Sequence, residues 1–384
     1  MRFGSRPGGV LAAALCLGAA LAAASGALAL ESPARQVILI DDVTGTVLFE
    51  KNADESMAPA SMSKIMTIYM VFERLAEGSL KLDDTLPVSE KAWKKGGSKM
   101  FVGLGKRVSI EDLLRGIIVH SGNDASIVIA EGFAGDEAAF AAEMTRRARE
   151  IGLRDSVFTN ASGWPEEGHM ATARDLAVLT RRTIHDFPQY YPYYAEKSFT
   201  YNGIRQGNRN PLLYKDIGAD GLKTGHTEAA GYGLAASVVR DGRRLIVVVN
   251  GLGSARKRAY EAERLIEYGF REFGNYTLFE AGETVVEAHV WLGEAATVPL
   301  VVEEDLVTTL GRKARRGLQV KAVYDGPVPA PIAKGTPLGR LLVTAPDTDP
   351  IEIPLLAGAD VEKLGPFRRI GSAVGYLIWG AAAP

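Results

Sequence analysis

Three short groupings in this chain combine residue types that do covalent chemistry at a carbonyl. Ser61-Met62-Ser63-Lys64 opens a strongly apolar run, Ile65 to Phe72. A serine and a lysine three positions apart share one helix face, so the amine can take the hydroxyl proton and the oxygen can attack. The N-terminal end of a helix carries partial positive charge, which disfavours an ammonium and predicts a neutral, basic Lys64. Ser121-Gly122-Asn123 stands at the end of a second apolar run, where a hydroxyl can relay a proton to a leaving group and an amide can hold a substrate amide. Lys223-Thr224-Gly225 lies in a β-rich run and offers a cation and a hydroxyl to a carboxylate, with a glycine that lets substrate lie along a strand edge. Taken singly, each fits an ordinary role as well: an N-capping serine with a solvated lysine, a helix C-cap, a strand-end turn. Their occurrence together, in this order, points to acyl transfer through a serine.

The elements around them follow from residue patterning. Gln36 to Ile40 and Thr46 to Glu50 are β-rich runs about Asp42-Val43-Thr44-Gly45 and predict a hairpin just before the Ser61 helix. Ser109-Ile110-Glu111-Asp112 starts a helix that runs to Val119. Further helices are expected from about Asp124, from Asp136 to Ile151, and from Thr172 to Ile184 with Asp175 at a capping-box position. From Gly221 the texture returns to strands, through Tyr232–Val239 and Leu245–Val249, and a helix from about Arg258 to Phe270 closes the unit. Strands at both chain ends with helices between them predict one α+β domain, residues 30–275, whose sheet is assembled from its two ends. Short strands then follow without a long helix, at Val285–Leu292, Thr297–Val302, Leu318–Tyr324, Leu338–Val343 and Ile351–Leu356, and predict an all-β domain over 276–362.

The two chain ends read differently from the middle. Arg2 and Arg6 precede an Ala/Leu-rich run from Val10 to Ala24 and a small-x-small pattern, Ala27-Leu28-Ala29, which together predict an export signal over 1–29. The single cysteine, Cys16, lies inside it, so the exported chain carries no disulfide and suits a bacterial periplasm or cell surface. At 363–384, Arg368-Arg369 beside an apolar stretch with Tyr376 and Trp379 suits a segment lying in a membrane interface, too short to span. A net charge of -2 with 23% charged residues gives no basic surplus for nucleic acid.

In its motifs the chain resembles the penicillin-recognising serine enzymes, and among them the low-molecular-weight penicillin-binding proteins of peptidase family S11, which are D-alanyl-D-alanine carboxypeptidases. Ser121-Gly122-Asn123-Asp124-Ala125, Asn208-Arg209-Asn210, and Asp220 to Thr227 continuing through Ala230-Gly231-Tyr232 extend the likeness beyond the three groupings. The resemblance implies a β-lactamase/transpeptidase-like catalytic domain, an antiparallel sheet with helices, followed by a small all-β domain and an amphipathic end. It implies that Ser61 is acylated by peptidoglycan stem peptides ending in D-Ala-D-Ala, with Lys64 as its base and Ser121 and Asn123 as the second wall of the cleft. Lys223 and Thr224 would seat the substrate carboxylate, with Arg258 and, as a second, Arg209. The backbone N–H groups of Ser61 and His226 would form the oxyanion hole. β-Lactams would be covalent inhibitors, no cofactor would be needed, and the protein would sit on the periplasmic face of the inner membrane.

Neighbouring chemistries leave their own signatures. No Glu-x-x-Leu-Asn pattern lies between Ser121 and Lys223, and Trp164 to His169 does not match it, which argues against a class A β-lactamase and for a slowly released β-lactam adduct. The five histidines form no His-x-x-x-His or His-x-x-Glu-His pair, so no metal site is expected. Tyr190-Tyr191-Pro192-Tyr193-Tyr194 reads as packing more than as a sugar platform. A D,D-endopeptidase of the same fold, and a β-lactam sensor or cell-wall binder with little turnover, stay as alternatives.

Overall fold

β1 (Gln36–Asp41) and β2 (Val47–Lys51) form the expected antiparallel hairpin. A single 3-10 turn, Ala60–Ser63, then enters α1 (Lys64–Ala76). Every residue of α1 from Lys64 to Phe72 is buried, as suits a helix that is apolar all round. Short elements follow: β3 (Thr85–Pro87), α2 (Glu90–Lys94) and β4 (Arg107–Ser109). Next come α3 (Ile110–Ile118), α4 (Asn123–Ala134), α5 (Glu137–Glu150) and α6 (Ala173–Asp186). The side chains of Ser109, Asp136 and Thr172 cap α3, α5 and α6 by accepting first-turn N–H groups. Asp175 departs from the expected capping box. Its own N–H goes to Thr172, but its carboxylate turns away to hold Arg154 N, Asp155 N and Ser156 Oγ.

After the hairpin β5 (Ser198–Tyr201) and β6 (Ile204–Gly207), the chain runs through β7 (Ala219–Thr227), β8 (Gly231–Arg240), β9 (Arg243–Leu252) and α7 (Ala255–Glu272). The main sheet has the order β2-β1-β9-β8-β7 with all pairs antiparallel, so the N-terminal hairpin, which ends at Lys51, joins strands that begin only at Ala219. β8 and β9 are each buried along six consecutive residues, with α6 and α7 packed on them. β7 is an edge strand, open to an extended ligand. The tyrosine cluster packs inward: Tyr194 is fully buried and Phe72 lies edge-on to it at 6.2 Å.

The computed structural model describes residues 30–365 except Asp347; the expected export signal, and the expected membrane segment beyond 365, lie outside the described residues. An all-β domain follows α7: β10 (Phe273–Phe279), β11 (Thr284–Trp291), β12 (Thr297–Val301), β13 (Leu306–Gly311), β14 (Gln319–Tyr324), β15 (Val328–Pro329), β16 (Pro337–Thr344) and β17 (Ile351–Ala357). Six of these form one sheet, β14-β16-β17-β12-β11-β15, and β10 pairs with β13. Sequence patterning misses β10 and β13, because Gly274-Asn275 reads as a break and Leu306–Gly311 lies behind an acidic turn.

β10 and β13 join the all-β domain to the main sheet. Asp41, with no exposed surface, accepts from Val43 N, Thr44 N, Arg243 Nε (2.8 Å) and Asn275 Nδ2 (3.0 Å). Thr309 donates to Asn275 Oδ1 and lies 2.6 Å from Thr44 Oγ1, while Arg243 reaches the Phe273 carbonyl. Removing one partner of a buried ion pair leaves the other charge uncompensated. Asp41→Ala should therefore cost about 3 kcal/mol or more, read as a lowered midpoint in urea denaturation with the spectroscopic signature of the folded state retained.

Candidate active site

Burial of α1 puts its first residue in the core. Lys64 has no exposed surface, and its amine donates to Ser61 Oγ (3.0 Å), Asn123 Oδ1 (2.8 Å) and the Ser162 carbonyl (2.5 Å). Its pKa falls to about 7. Burial is the largest cause, followed by the charge of Arg209, and Asp124 opposes both. The neutral lysine anticipated from the helix dipole is thus produced mainly by desolvation.

Ser121-Gly122-Asn123 joins the end of α3 to the start of α4, as the helix expected from about Asp124 requires, with Asn123 the first residue of α4. Ser121 has φ +59°, in the left-handed region where a side chain is strained by on the order of 1–3 kcal/mol. That conformation turns its hydroxyl to Lys223 Nζ at 2.9 Å. Asn123 spans the site, with Oδ1 on Lys64 and Nδ2 donating to the Gly96 carbonyl at 2.9 Å.

The edge strand β7 forms the opposite wall. Thr224, Gly225 and His226 line a cavity of about 440 Å³ with Ser61, Ser98, Ser121, Arg209, Tyr232 and Arg258. Lys223, Lys64 and Asn123 are not in that lining; they stand behind it and act on it through Ser61 and Ser121. The Lys223 amine is buried and its pKa is well below the ordinary lysine value, first from burial and then from the charges of Lys64, Arg209 and Arg258. Gly225 lines the cavity and also answers a need not read in the sequence: a Cβ there would lie 2.8 Å from the Pro59 carbonyl and 3.2 Å from Met62, so the glycine admits the Ser61 turn against the strand.

Two arginines face the cavity. Arg258, on the first turn of α7, is mostly buried with its Nε unpartnered among the described residues. It lies over the Tyr232 ring at 5.8 Å, and burial lowers its pKa to about 10. Arg209 is exposed at the rim and donates to Ser98 Oγ at 2.5 Å. The flanking asparagines set it there: Asn208 Nδ2 donates to Glu196 O, and Asn210 Nδ2 ties the loop to β7 at the Gly221 carbonyl, 2.7 Å away. No acidic side chain stands among its described lining residues, so the charge facing the cavity is positive and complements an anion. Among the described residues no three His, Cys, Asp or Glu side chains converge on a metal-sized site. Glu166 is exposed and bonded to Asn160 Nδ2 at 2.8 Å, outside the cavity lining.

Residues 22–253 match the peptidase S11 family, D-alanyl-D-alanine carboxypeptidase, and residues 273–363 match the C-terminal domain of penicillin-binding protein 5. The chain belongs to this family. It is 39% identical to the D-alanyl-D-alanine carboxypeptidase DacC of Escherichia coli K12 over 345 residues, 88% of this chain and 86% of that protein. Its structure is similar to that of penicillin-binding protein 5 from Haemophilus influenzae, with a TM-score of 0.79 and 35% identity over 87% of this chain and all of the other. Penicillin-binding protein D2 of Listeria monocytogenes in its ampicillin-bound form matches 63% of this chain and 98% of its own, at TM-score 0.58 and 31% identity.

Sequence motifs pass over two residues of this family site: Ser98 lines the cavity and Ser162 supplies a carbonyl to Lys64, and only their place beside the motifs in space marks them. Tyr232 and Asp124 lie within the motif stretches but carry no assigned role there; Tyr232 lines the cavity and Asp124 sits behind the loop that carries Ser98. Asp124 is fully buried and accepts from the backbone N–H groups of Met100, Phe101 and Val102. Asp124→Asn removes acceptor capacity for buried N–H groups, each worth about 1–3 kcal/mol when left unmet. Hydrogen exchange at those three amides should accelerate well before the global unfolding rate changes.

Proposed function

We propose that this protein is a serine D-Ala-D-Ala carboxypeptidase that removes the terminal D-alanine from peptidoglycan pentapeptide stems. The observation that carries the reading is a buried amine of depressed basicity, 3.0 Å from Ser61 Oγ, behind the lining of a cavity whose charged side chains are cationic.

Lys64 takes the Ser61 proton, and Oγ attacks the carbonyl carbon of the penultimate D-alanine. The backbone N–H groups of Ser61 and His226 hold the developing oxyanion, an interaction of about 3 kcal/mol per donor in comparable sites. Ser121, bonded to Lys223, delivers the proton to the departing amine as the C–N bond breaks, and Asn123, from behind the lining, holds the Lys64 amine in place. Arg258, with its Nε unmet, takes the terminal carboxylate together with Thr224, with Arg209 as a second cation. Water then hydrolyses the Ser61 ester. A base of pKa about 7 is close to half neutral at neutral pH, the condition under which it both accepts and returns a proton well.

The protein works in the periplasm, after removal of 1–29, held at the outer face of the inner membrane by 363–384. That placement rests on the Arg2/Arg6-led apolar run and on Arg368-Arg369 beside Tyr376 and Trp379. Within the described residues no helix is long and apolar enough to cross a membrane.

Mature protein incubated with purified pentapeptide and cross-linked muropeptides should release one alanine from the pentapeptide, and Ser61→Ala should release none. Cleavage mainly of cross-links would instead identify an endopeptidase. Acylation by a labelled penicillin should rise with pH to a plateau above about 7, because Lys64 is competent only when deprotonated. Deleting the residues after Phe367 should move the protein from the membrane to the soluble fraction with pentapeptide cleavage unchanged; a deletion variant that still sediments with membranes would overturn the anchor.

A further inference from the structure

His169 takes no part in that chemistry, yet it is buried, 8% exposed, and bonded to the Ser61 turn. It closes the loop between α5 and α6, whose ends are pinned by a bridge between Val157 and Met170. Nδ1 lies 3.1 Å from the Thr159 backbone nitrogen, and Nε2 lies 2.7 Å from Ser63 Oγ. A backbone N–H only donates, so Nδ1 is the acceptor and carries no proton. Nε2–H therefore donates to Ser63, and Ser63 donates onward to the Ala60 carbonyl at 2.9 Å. The three bonds run in one direction, from loop to turn.

The same loop supplies the Ser162 carbonyl to Lys64. Asn160 Oδ1 gathers Ser162 N, Gly163 N and Trp164 N, which shapes the loop internally but does not attach it to the turn. α1 holds the loop through Thr67 Oγ1, which donates to the Ala161 carbonyl at 2.7 Å, and attachment to the turn itself falls to close packing at Gly163, where a Cβ would meet the Ala60 carbonyl at 1.9 Å, and to the His169–Ser63 bond. We propose that His169 is a positioning residue: as a neutral imidazole it clamps the loop onto the Ala60–Ser63 turn, which holds the Ser162 carbonyl on Lys64 and keeps water from the amine. The inference rests on the reading of Lys64 as the base for Ser61.

The charged groups that act on the imidazole are Glu166, from the loop itself, and Lys64, from α1. Burial outweighs the Glu166 carboxylate and brings the His169 pKa to about 4, so the directed chain holds through the working pH range. Phe158 covers the ring edge-on at 5.9 Å. A second proton would place an Nδ1–H against the Thr159 N–H and open the clamp.

The test is the pH dependence of Ser61 acylation by a fluorescent penicillin, with the adduct located by mass. Burial is the main cause of the low Lys64 pKa, so loosening the loop hydrates the amine and raises it. His169→Ala should move the acid limb upward by about one pH unit or more, and His169→Gln, which can still donate to Ser63, should restore it. Ser63→Ala should shift the limb in the same direction, and the double variant should shift it no further than either single one. A loss of folded protein alone lowers the amplitude at every pH and leaves the midpoint in place. If His169→Ala does not fold, His169→Asn compared with His169→Gln makes the same comparison, with the shift expected in the asparagine variant only. An unmoved midpoint, or additive shifts from the two sites, overturns the clamp. Absence of a Ser61 adduct, or of any acid limb near 7 in the unsubstituted protein, would instead remove the Lys64 reading beneath it.

Discussion

Keeping an amine dry is the constraint on which the rest of this structure depends. A lysine with no exposed surface is stable only if its donors are met and its charge is dispensable, and three oxygens from three separate segments meet them here. Each oxygen imposes a demand on the fold. Ser61 needs the 3-10 turn ahead of α1, Asn123 needs a second helix to begin beside it, and Ser162 needs the α5–α6 loop to press on the turn. The apolar character of α1 on every side is the same requirement seen from the helix.

The cationic crowd on this wall would be unfavourable in an ordinary core. Lys64 and Lys223 are depressed first by burial and then by positive neighbours, and the buried Arg258 keeps an unmet Nε. Repulsion of this kind costs stability, and it is relieved when a carboxylate enters. The strained backbone at Ser121, φ +59°, belongs with it: a local conformation held in place by packed helices on both sides so that one hydroxyl faces Lys223.

The all-β domain is joined to the catalytic sheet through polar bonds more than through a shared apolar core. Asp41, Arg243, Asn275 and Thr309 lie on four different elements and close a single network at the far side of the sheet from the sequence motifs. β10 runs directly out of α7, the helix whose first turn carries Arg258, which gives the two parts a rigid connection at one end.

Much of this was legible in the order of residues. The motif residues are chemically distinctive, the apolar run after Lys64 identifies a core helix, and period-two patterning picks out five of the eight strands beyond Glu272, because those properties are local. β10 escapes because Gly274-Asn275 looks like a break in isolation, β13 because it follows an acidic turn, and the two-residue β15 because it lies among prolines. Gly225 carries a second demand that the sequence does not show, since only the packed turn reveals that the Pro59 carbonyl needs the space. Local sequence determined which groups could do the chemistry and on which kind of element each would stand. Tertiary structure alone decided that Lys64 is dry, that Ser162 and Ser98 join the site, and that His169 faces Ser63, because solvation and hydrogen bonding across about 100 residues of chain exist only once the segments are packed together.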